Sequence, residues 1–300
     1  MRGQWGVMLH YLYHGSSGEE WNAYVEAFDV DALVQSLRQS GAYYLLFTVG
    51  QNSGYFCAPN RTYQDLTGRN SGQLTRRDLI GDLAASCRAA GMRCLAYVPA
   101  HGPEDDDQAV AGLGFPPGRR AGDAPASGGL LEDAQRNWRA VLAKWSNQWG
   151  ESVSGWWVDG AYYYRAGDPP VDHLDYQAFA SALRAGNPEA AIAFNSAGVT
   201  IPIVSLSGCE DYTAGEVNAL PTHNSYHPVG DSFPGPMYHV LSYLGQFWGA
   251  GAPRYSDELA IAYTRYLTGR GAAITWDVPI TLEGRVPHEY LRQLEAIGRA

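Results

Sequence analysis

Short apolar runs alternate along the chain with polar or glycine-rich loops and with stretches of helical periodicity. This alternation is typical of parallel β-strands joined by crossover helices. Eight runs have the length of a strand, at residues 5–11, 43–49, 93–99, 155–159, 190–195, 204–211, 239–245 and 272–278. They predict an α/β fold, a single (β/α)8 TIM-like barrel, and an open doubly wound sheet is the alternative topology.

Apolar residues spaced three and four positions apart predict the helices between these runs, at residues 31–39, 75–90, 130–149, 175–185, 256–268 and 287–297. Thr75 and Asp78 have the spacing of a capping box, and Gly91 is a suitable helix stop. Because strand-like and helical segments run to the end of the chain, we expect one catalytic barrel domain over residues 1–300.

Two long loops, at residues 101–129 and 213–236, interrupt this pattern. Both are rich in glycine and proline, and both follow predicted strands. In a barrel they would therefore lie at the carboxyl-terminal face, where active sites form.

Composition narrows the ligand classes. The chain has 300 residues with a formal net charge of −10, which argues against nucleic acid and anionic membranes as partners. A neutral, hydroxyl-rich ligand is compatible with this charge. The four cysteines form no Cys-x-x-Cys pair, so we expect neither a zinc site nor redox chemistry. With no transmembrane run and no signal-peptide pattern, the expected location is cytoplasmic, or secreted if a leader is removed.

The segment 155–160 has an aromatic strand that ends in a carboxylate. Trp156 and Trp157 precede Asp159, and Gly160 permits a sharp turn after it. Glycosidases need a carboxylate nucleophile below the reacting sugar carbon and a second carboxyl group that protonates the leaving group. Asp159 suits the first role. The alternative is an aspartate that only caps a loop or helix.

Three acids follow in segment 208–216, namely Glu210, Asp211 and Glu216. A general acid could come from this segment, because burial among aromatic residues would raise the pKa of a glutamate to a suitable value. Glu216 is our choice, and Glu210 and Asp211 are its rivals. The alternative is a solvated acidic loop.

Other side chains near predicted strand ends are candidate substrate ligands. His10 could bond a sugar hydroxyl or belong to the core, and Asp277 ends the last strand. Aromatic rings suit the C–H faces of sugars, and the candidates are Tyr55, Trp157, Tyr162, Trp248 and Trp276. His223 and His227 have i, i+4 spacing, but Pro228 disfavours a helix there, so no metal site is expected.

Taken in order, these segments resemble glycoside hydrolase family 29, the α-L-fucosidases. Residues 5–10 resemble its first strand, which ends in a sugar-binding histidine, here His10. Residues 157–160 (Trp-Val-Asp-Gly) resemble its Trp-Phe-Asp-Gly nucleophile motif. Residues 211–216 resemble its Asp-Tyr-x-Thr-Pro-Glu acid/base segment, with Ala214 and Gly215 in place of Thr-Pro. Gln51 and Asn52 stand where that family carries paired fucose-binding histidines.

The resemblance implies an exo-acting, retaining glycosidase without a cofactor, in which Asp159 is the nucleophile and Glu216 the acid/base. It also implies a carbohydrate substrate. Since the sequence stops after the predicted last helix, we expect no appended β-sandwich of the kind that family members commonly carry. The competing interpretation is a non-catalytic carbohydrate-binding protein on a glycosidase-like barrel, and a third is a barrel enzyme of another class.

Overall fold

The fold is built around a parallel β-sheet. A computed structural model describes residues 1–69, 72–115, 130–161, 174–195, 203–220 and 235–300. In this part of the chain the sheet has seven strands in the order β5-β4-β3-β2-β1-β7-β6. The strands are β1 Trp5–Leu9, β2 Tyr44–Thr48, β3 Arg93–Pro99, β4 Val153–Asp159, β5 Ala191–Phe194, β6 His239–Tyr243 and β7 Ala273–Asp277. The predicted parallel α/β fold is confirmed.

Helices connect the strands and cover one face of the sheet. They are α1 Gly18–Ala27, α2 Val30–Gln39, α3 Arg61–Thr67, α4 Leu79–Ala89, α5 Asp107–Leu113, α6 Leu130–Trp149, α7 Tyr176–Leu183, α8 Asp257–Thr268 and α9 His288–Arg299. Side-chain oxygens cap many of their first turns. Asp78 caps α4 by accepting from the Gly81 amide, so this helix begins later than the predicted residue 75. No described helix is long and apolar enough to cross a membrane.

Alternate strand residues form two separate cores, as the two-residue period of a strand requires. The larger core lies between the sheet and the helices and includes Val7, Trp156 and Trp276. The smaller core lies on the opposite face and contains Met8, Tyr44, Leu46, Leu95, Tyr97, Trp157, Ala193, Tyr212, Ala214 and Leu241. The second face is the one that leads to the site described below.

The predicted strand at residues 204–211 is not a strand in the structure. The neighbouring segment 211–217 instead joins the two edges of the sheet by backbone hydrogen bonds. The Asp211 amide donates to Ile192 of β5 (2.9 Å), and the Val217 amide donates to Leu241 of β6 (2.9 Å). Because one segment reaches both edge strands, the sheet curls into a half-barrel rather than the open doubly wound form. The described residues therefore show seven strands and this bridging segment, where the sequence predicts eight strands.

Candidate active site

A cavity of about 280 Å³ lies at the carboxyl-terminal ends of the strands. Six residues that the sequence singled out line it: His10, Gln51, Trp157, Asp159, Glu216 and Trp248. Five further residues complete the lining: Met8, Leu12, Tyr97, Leu241 and Phe247. The parallel sheet thus brings together side chains that are more than 200 positions apart in sequence.

Asp159 ends β4 with its carboxylate at this cavity. The chain turns immediately after it, because Gly160 has a φ of +68°, which agrees with the predicted sharp turn. The Oδ2 atom accepts a hydrogen bond from the Tyr97 hydroxyl and faces the Gln51 amide nitrogen at 3.3 Å. The Oδ1 atom accepts from the Asn195 amide at 2.9 Å. Both carboxylate oxygens are therefore held in place.

Asn195 links the two candidate catalytic acids. Its Nδ2 atom donates to Asp159 at 2.9 Å and to Glu216 at 2.5 Å. Carboxylates only accept, so the amide nitrogen rather than its oxygen must face them. Since both oxygens contact one nitrogen, their separation cannot exceed the sum of these two distances, about 5.4 Å.

Tyr97 supports Asp159 as a neutral donor. Burial, and then the nearby charge of Asp159, raise the pKa of Tyr97 well above its ordinary value. The hydroxyl therefore keeps its proton for the Asp159 carboxylate, while its oxygen accepts from Gln51. The ring stacks on Trp157 with centroids 5.3 Å apart, which restricts its movement.

Glu216 reaches the cavity from the bridging segment. Gly215 has a φ of +69°, and a Cβ at this position would lie 1.9 Å from the His239 carbonyl oxygen. Only glycine therefore lets the segment lie this close to β6. The Ala214 carbonyl accepts from the Trp157 indole at 3.1 Å, which fixes the segment against β4 side chains. The Ala-Gly-Glu sequence thus has a structural reason.

His239 binds the backbone of the same segment, 211–217, through its imidazole. Its Nδ1 atom lies 2.9 Å from the Thr213 carbonyl and 3.1 Å from that of Ala214. Carbonyls only accept, so this nitrogen carries the proton, and Nε2 accepts from the Thr275 hydroxyl at 2.7 Å. Burial lowers the pKa of His239 from 6.5 to about 4, opposed by the two carbonyls. The imidazole is therefore neutral at physiological pH.

This burial predicts a pH-dependent stability. Between pH 6.5 and 4 the unfolded chain binds a proton at His239 while the folded chain does not. The contribution of His239 to the free energy of unfolding is therefore present above pH 6.5 and is lost as the pH falls towards 4. We expect the free energy of unfolding to fall by up to about 3 kcal/mol across this interval from His239 alone. Denaturant unfolding measured from pH 7 to 4 should therefore show a shallower decrease for His239→Gln.

The exposed His288 of α9 offers the matched control, because His288→Gln removes a surface histidine and keeps the contacts of His239. Parallel curves for the wild-type protein and His239→Gln would contradict the assignment.

His10, at the end of β1, pairs with the buried Asp277. Its Nδ1 atom lies 2.7 Å from Asp277 Oδ1. Burial lowers the pKa of His10, but Asp277 and, less strongly, Asp159 and Glu216 raise it, and the net change is upward. Asp277 Oδ2 also accepts from the Gly249 amide. Asp277 thus fixes His10 and the turn at Gly249 by hydrogen bonds, but it does not itself line the cavity.

The two rivals of Glu216 point elsewhere. Glu210 is buried and accepts from the backbone amides of Phe194 (3.0 Å) and Ser207 (2.8 Å). Burial raises its pKa to about 7, although these amides act in the opposite direction. Asp211 pairs with Arg184 at 2.6 Å. Neither residue lines the cavity. The Glu210 carboxylate binds backbone amides instead, and the Asp211 carboxylate binds Arg184.

Several other predicted ligands also lie away from the cavity. Trp276 is in the larger core, where its indole donates to Thr264 at 2.9 Å, because it faces the helices on alternate positions of β7. Tyr55 packs on Tyr13 with centroids 4.9 Å apart. Asn52 is absent from the cavity lining, and its carbonyl accepts from a backbone amide. The structure thus does not place these three predicted ligands in the lining of this cavity.

Tyr162, His223 and His227 lie outside the described residues. Within the described ranges, no group of three His, Cys, Asp or Glu side chains is arranged to hold a metal ion.

Tyr97 and Asn195 were missed as site residues. Asn195 ends the predicted strand at residues 190–195, and Tyr97 lies two residues before the end of the one at 93–99. A polar residue in the last three positions of each apolar run was the available signal, since strand ends meet at one face of a parallel sheet. Phe247, in a loop, carried no such signal.

Comparison with known proteins finds similarity in fold but not in sequence family. No protein-family model and no curated protein matches its sequence. Among solved structures, the endo-fucoidan hydrolase MfFcnA4 of glycoside hydrolase family 107 is similar with a TM-score of 0.74 and 20% identity, over 99% of this chain and 52% of that one. The endo-fucoidan hydrolase P5AFcnA of the same family gives 0.72 and 17%, over 100% and 91%.

The α-L-fucosidase AlfC from Lactobacillus casei, in complex with its α-L-fucose product, is similar with a TM-score of 0.64 and 18% identity, over 98% of this chain and 94% of that one. This chain spans about half the length of MfFcnA4. The neighbours thus include both family 107 hydrolases and α-L-fucosidases, and at these identities the likeness establishes a shared fold.

Proposed function

We propose that this protein is a retaining, exo-acting glycoside hydrolase for a neutral, fucose-like sugar, and a divergent relative of the family 29 α-L-fucosidases. Asp159 is the nucleophile and Glu216 the acid/base. The observation that carries the proposal is the shared contact of both carboxylates with Asn195 at one cavity. The two oxygens that contact Asn195 lie at most about 5.4 Å apart, which supports the ~5–5.5 Å carboxyl spacing of retaining enzymes over the ~6.5–9.5 Å of inverting ones.

The first step forms a covalent bond between Asp159 and the anomeric carbon. A carboxylate oxygen attacks this carbon as the glycosidic bond breaks, and Glu216 gives its proton to the departing oxygen. Tyr97 and Asn195 already hold the Asp159 carboxylate in place, so little reorientation is needed before attack.

In the second step Glu216, now ionised, removes a proton from water. The water oxygen attacks the anomeric carbon, and the bond to Asp159 breaks with its electrons returning to the carboxylate. The sugar is released with its original anomeric configuration. The raised pKa of His10 favours a protonated imidazole that donates a hydrogen bond to a sugar oxygen.

Size and charge of the cavity support a single uncharged sugar. Its volume of about 280 Å³ is just below the ~300–1,000 Å³ typical of small-molecule sites, which suits one ring and therefore an exo mode. No lysine or arginine stands among the described residues that line it. Met8 and Leu241 offer apolar surface for a deoxy position.

The solved neighbours support the choice of sugar, because they act on fucoidan or carry fucose as product. We also propose that segment 211–217 takes the place of the remaining barrel strand, between β5 and β6, since it bonds to both sheet edges. The barrel would then be closed, as the sequence predicts.

A panel of nitrophenyl glycosides tests the proposed function. We expect release of nitrophenol from the α-L-fucoside, and NMR should detect α-L-fucose as the first anomer formed. Formation of the β-anomer first would contradict retention. Binding of fucose without release of nitrophenol from any member would instead support the non-catalytic carbohydrate-binding protein.

A further inference from the structure

Phe247 is an exposed aromatic residue at the mouth of the cavity. Its side chain lines the cavity and is 64% exposed. Val204 and Leu259 are the other large apolar residues exposed in the described ranges, and neither lines the cavity. A phenyl ring at this position offers an apolar face to a ligand that extends out of the cavity.

The turn that carries Phe247 is held firmly. The amides of Gln246 and Phe247 donate to the Ala250 carbonyl at 3.1 and 3.2 Å, and the Ala250 amide donates back to Phe247 at 3.2 Å. The Gly249 amide donates to the Asp277 carboxylate. The ring is therefore presented by an ordered backbone, which reduces the entropy lost when a ligand binds.

Aromatic side chains and one arginine pack around the turn at residues 246–250. Trp248 packs edge-on against Tyr243 (4.7 Å between centroids) and His10 (5.8 Å). Phe247 lies 6.1 Å from the same Tyr243, and the Arg254 guanidinium lies 3.7 Å from the Tyr243 ring centroid. Trp248 thus belongs to the cavity wall, while Phe247 is left facing outward.

The turn lies on the side of the acid/base residue. Glu216 pairs with Leu241 of β6, and the turn follows β6 within a few residues. Asp159 approaches from β4, on the other side of the bridging segment. The leaving group departs towards the acid that protonates it, and therefore towards Phe247.

We propose that Phe247 forms an acceptor subsite, which binds the sugar ring on the leaving-group side of the scissile bond through the apolar face of an uncharged pyranose. This inference rests on the proposed function. The cavity accommodates one ring, so a second ring extends beyond it over the exposed phenyl group. The natural substrate is accordingly a di- or oligosaccharide rather than a glycoside of a small alcohol.

The test compares two substrates that differ in the leaving group. α-L-Fucosyl fluoride has no acceptor ring, whereas α-L-fucosyl-(1→6)-N-acetylglucosamine and its positional isomers have one. We expect Phe247→Ala to lower kcat/KM for the best disaccharide about five- to tenfold and to lower kcat/KM for the fluoride much less. Phe247→Tyr, which keeps the ring, should restore the disaccharide rate. Leu259→Ala, on α8, should change neither rate.

Equal losses on both substrates, or no loss on either, would overturn the subsite. Calorimetric titration with fucose and with the disaccharides separates this inference from the proposed function. If no substrate is hydrolysed, the proposed function fails, yet the subsite is supported when a disaccharide binds more tightly than fucose and Phe247→Ala removes the difference. Equal affinities in the wild-type protein would overturn the subsite.

Discussion

Replacing Asp159 with asparagine is expected to lower kcat/KM for an aryl fucoside by about 10⁴-fold or more. The amide cannot form the glycosyl ester, although it has nearly the same shape and can still contact Tyr97 and Asn195. Steady-state rates, with thermal unfolding on the same samples, check both the loss of activity and the retention of the fold. For Asp159→Ala, added azide should restore turnover and give a glycosyl azide of inverted configuration.

Asp211→Asn is the matched control for this variant. Asp211 bonds to Arg184 and to the Ile192 amide and is not part of the cavity, so the rate should stay close to that of the wild-type protein. An active Asp159→Asn enzyme would remove Asp159 from the mechanism, and an inactive but unfolded one would show only a structural role.

The second large effect concerns Glu216, for which we expect Glu216→Gln to lower the rate on disaccharides by about 10²–10⁴-fold. Glutamine cannot protonate a sugar leaving group, whereas fluoride leaves without a proton. With α-L-fucosyl fluoride as substrate, azide should restore turnover, because azide attacks the glycosyl-enzyme without needing a general base. The product should be a glycosyl azide of retained configuration, measured by NMR.

Glu210→Gln separates the two glutamates. Glu210 accepts backbone amides at 2.8–3.0 Å beneath β5, so its substitution should lower the thermal unfolding temperature and spare the disaccharide rate of the folded enzyme. If Glu210→Gln instead shows the leaving-group dependence and Glu216→Gln does not, the acid/base assignment moves to Glu210.

Local sequence patterns predict most of the framework but fail for short helices. The 20-residue α6 has the predicted bounds because its apolar stripe is long. By contrast, α3 and α5 have only seven residues each. Helices this short depend on tertiary packing rather than on their own periodicity, and therefore lie inside stretches that read as loops.

The face of the sheet on which a strand side chain lies depends on the pairing register of that strand, which the sequence does not specify. Trp276 and Asp277 are neighbours in one apolar run, yet the first packs against α8 and the second holds His10. A shift of one position exchanges the two faces of a strand. Both were therefore plausible site residues, and only the paired register of β7 with β1 separated them.

The sequence by itself determined the parallel α/β framework and the Trp-Val-Asp-Gly tip that carries Asp159, because these depend on local periodicity and on a glycine that permits the turn. Only the tertiary structure decided which acid faces Asp159, and it added Tyr97 and Asn195. These contacts join β3, β4, β5 and the segment 211–217, so they exist only when the sheet curls and its strand ends converge. No single stretch of sequence contains that information.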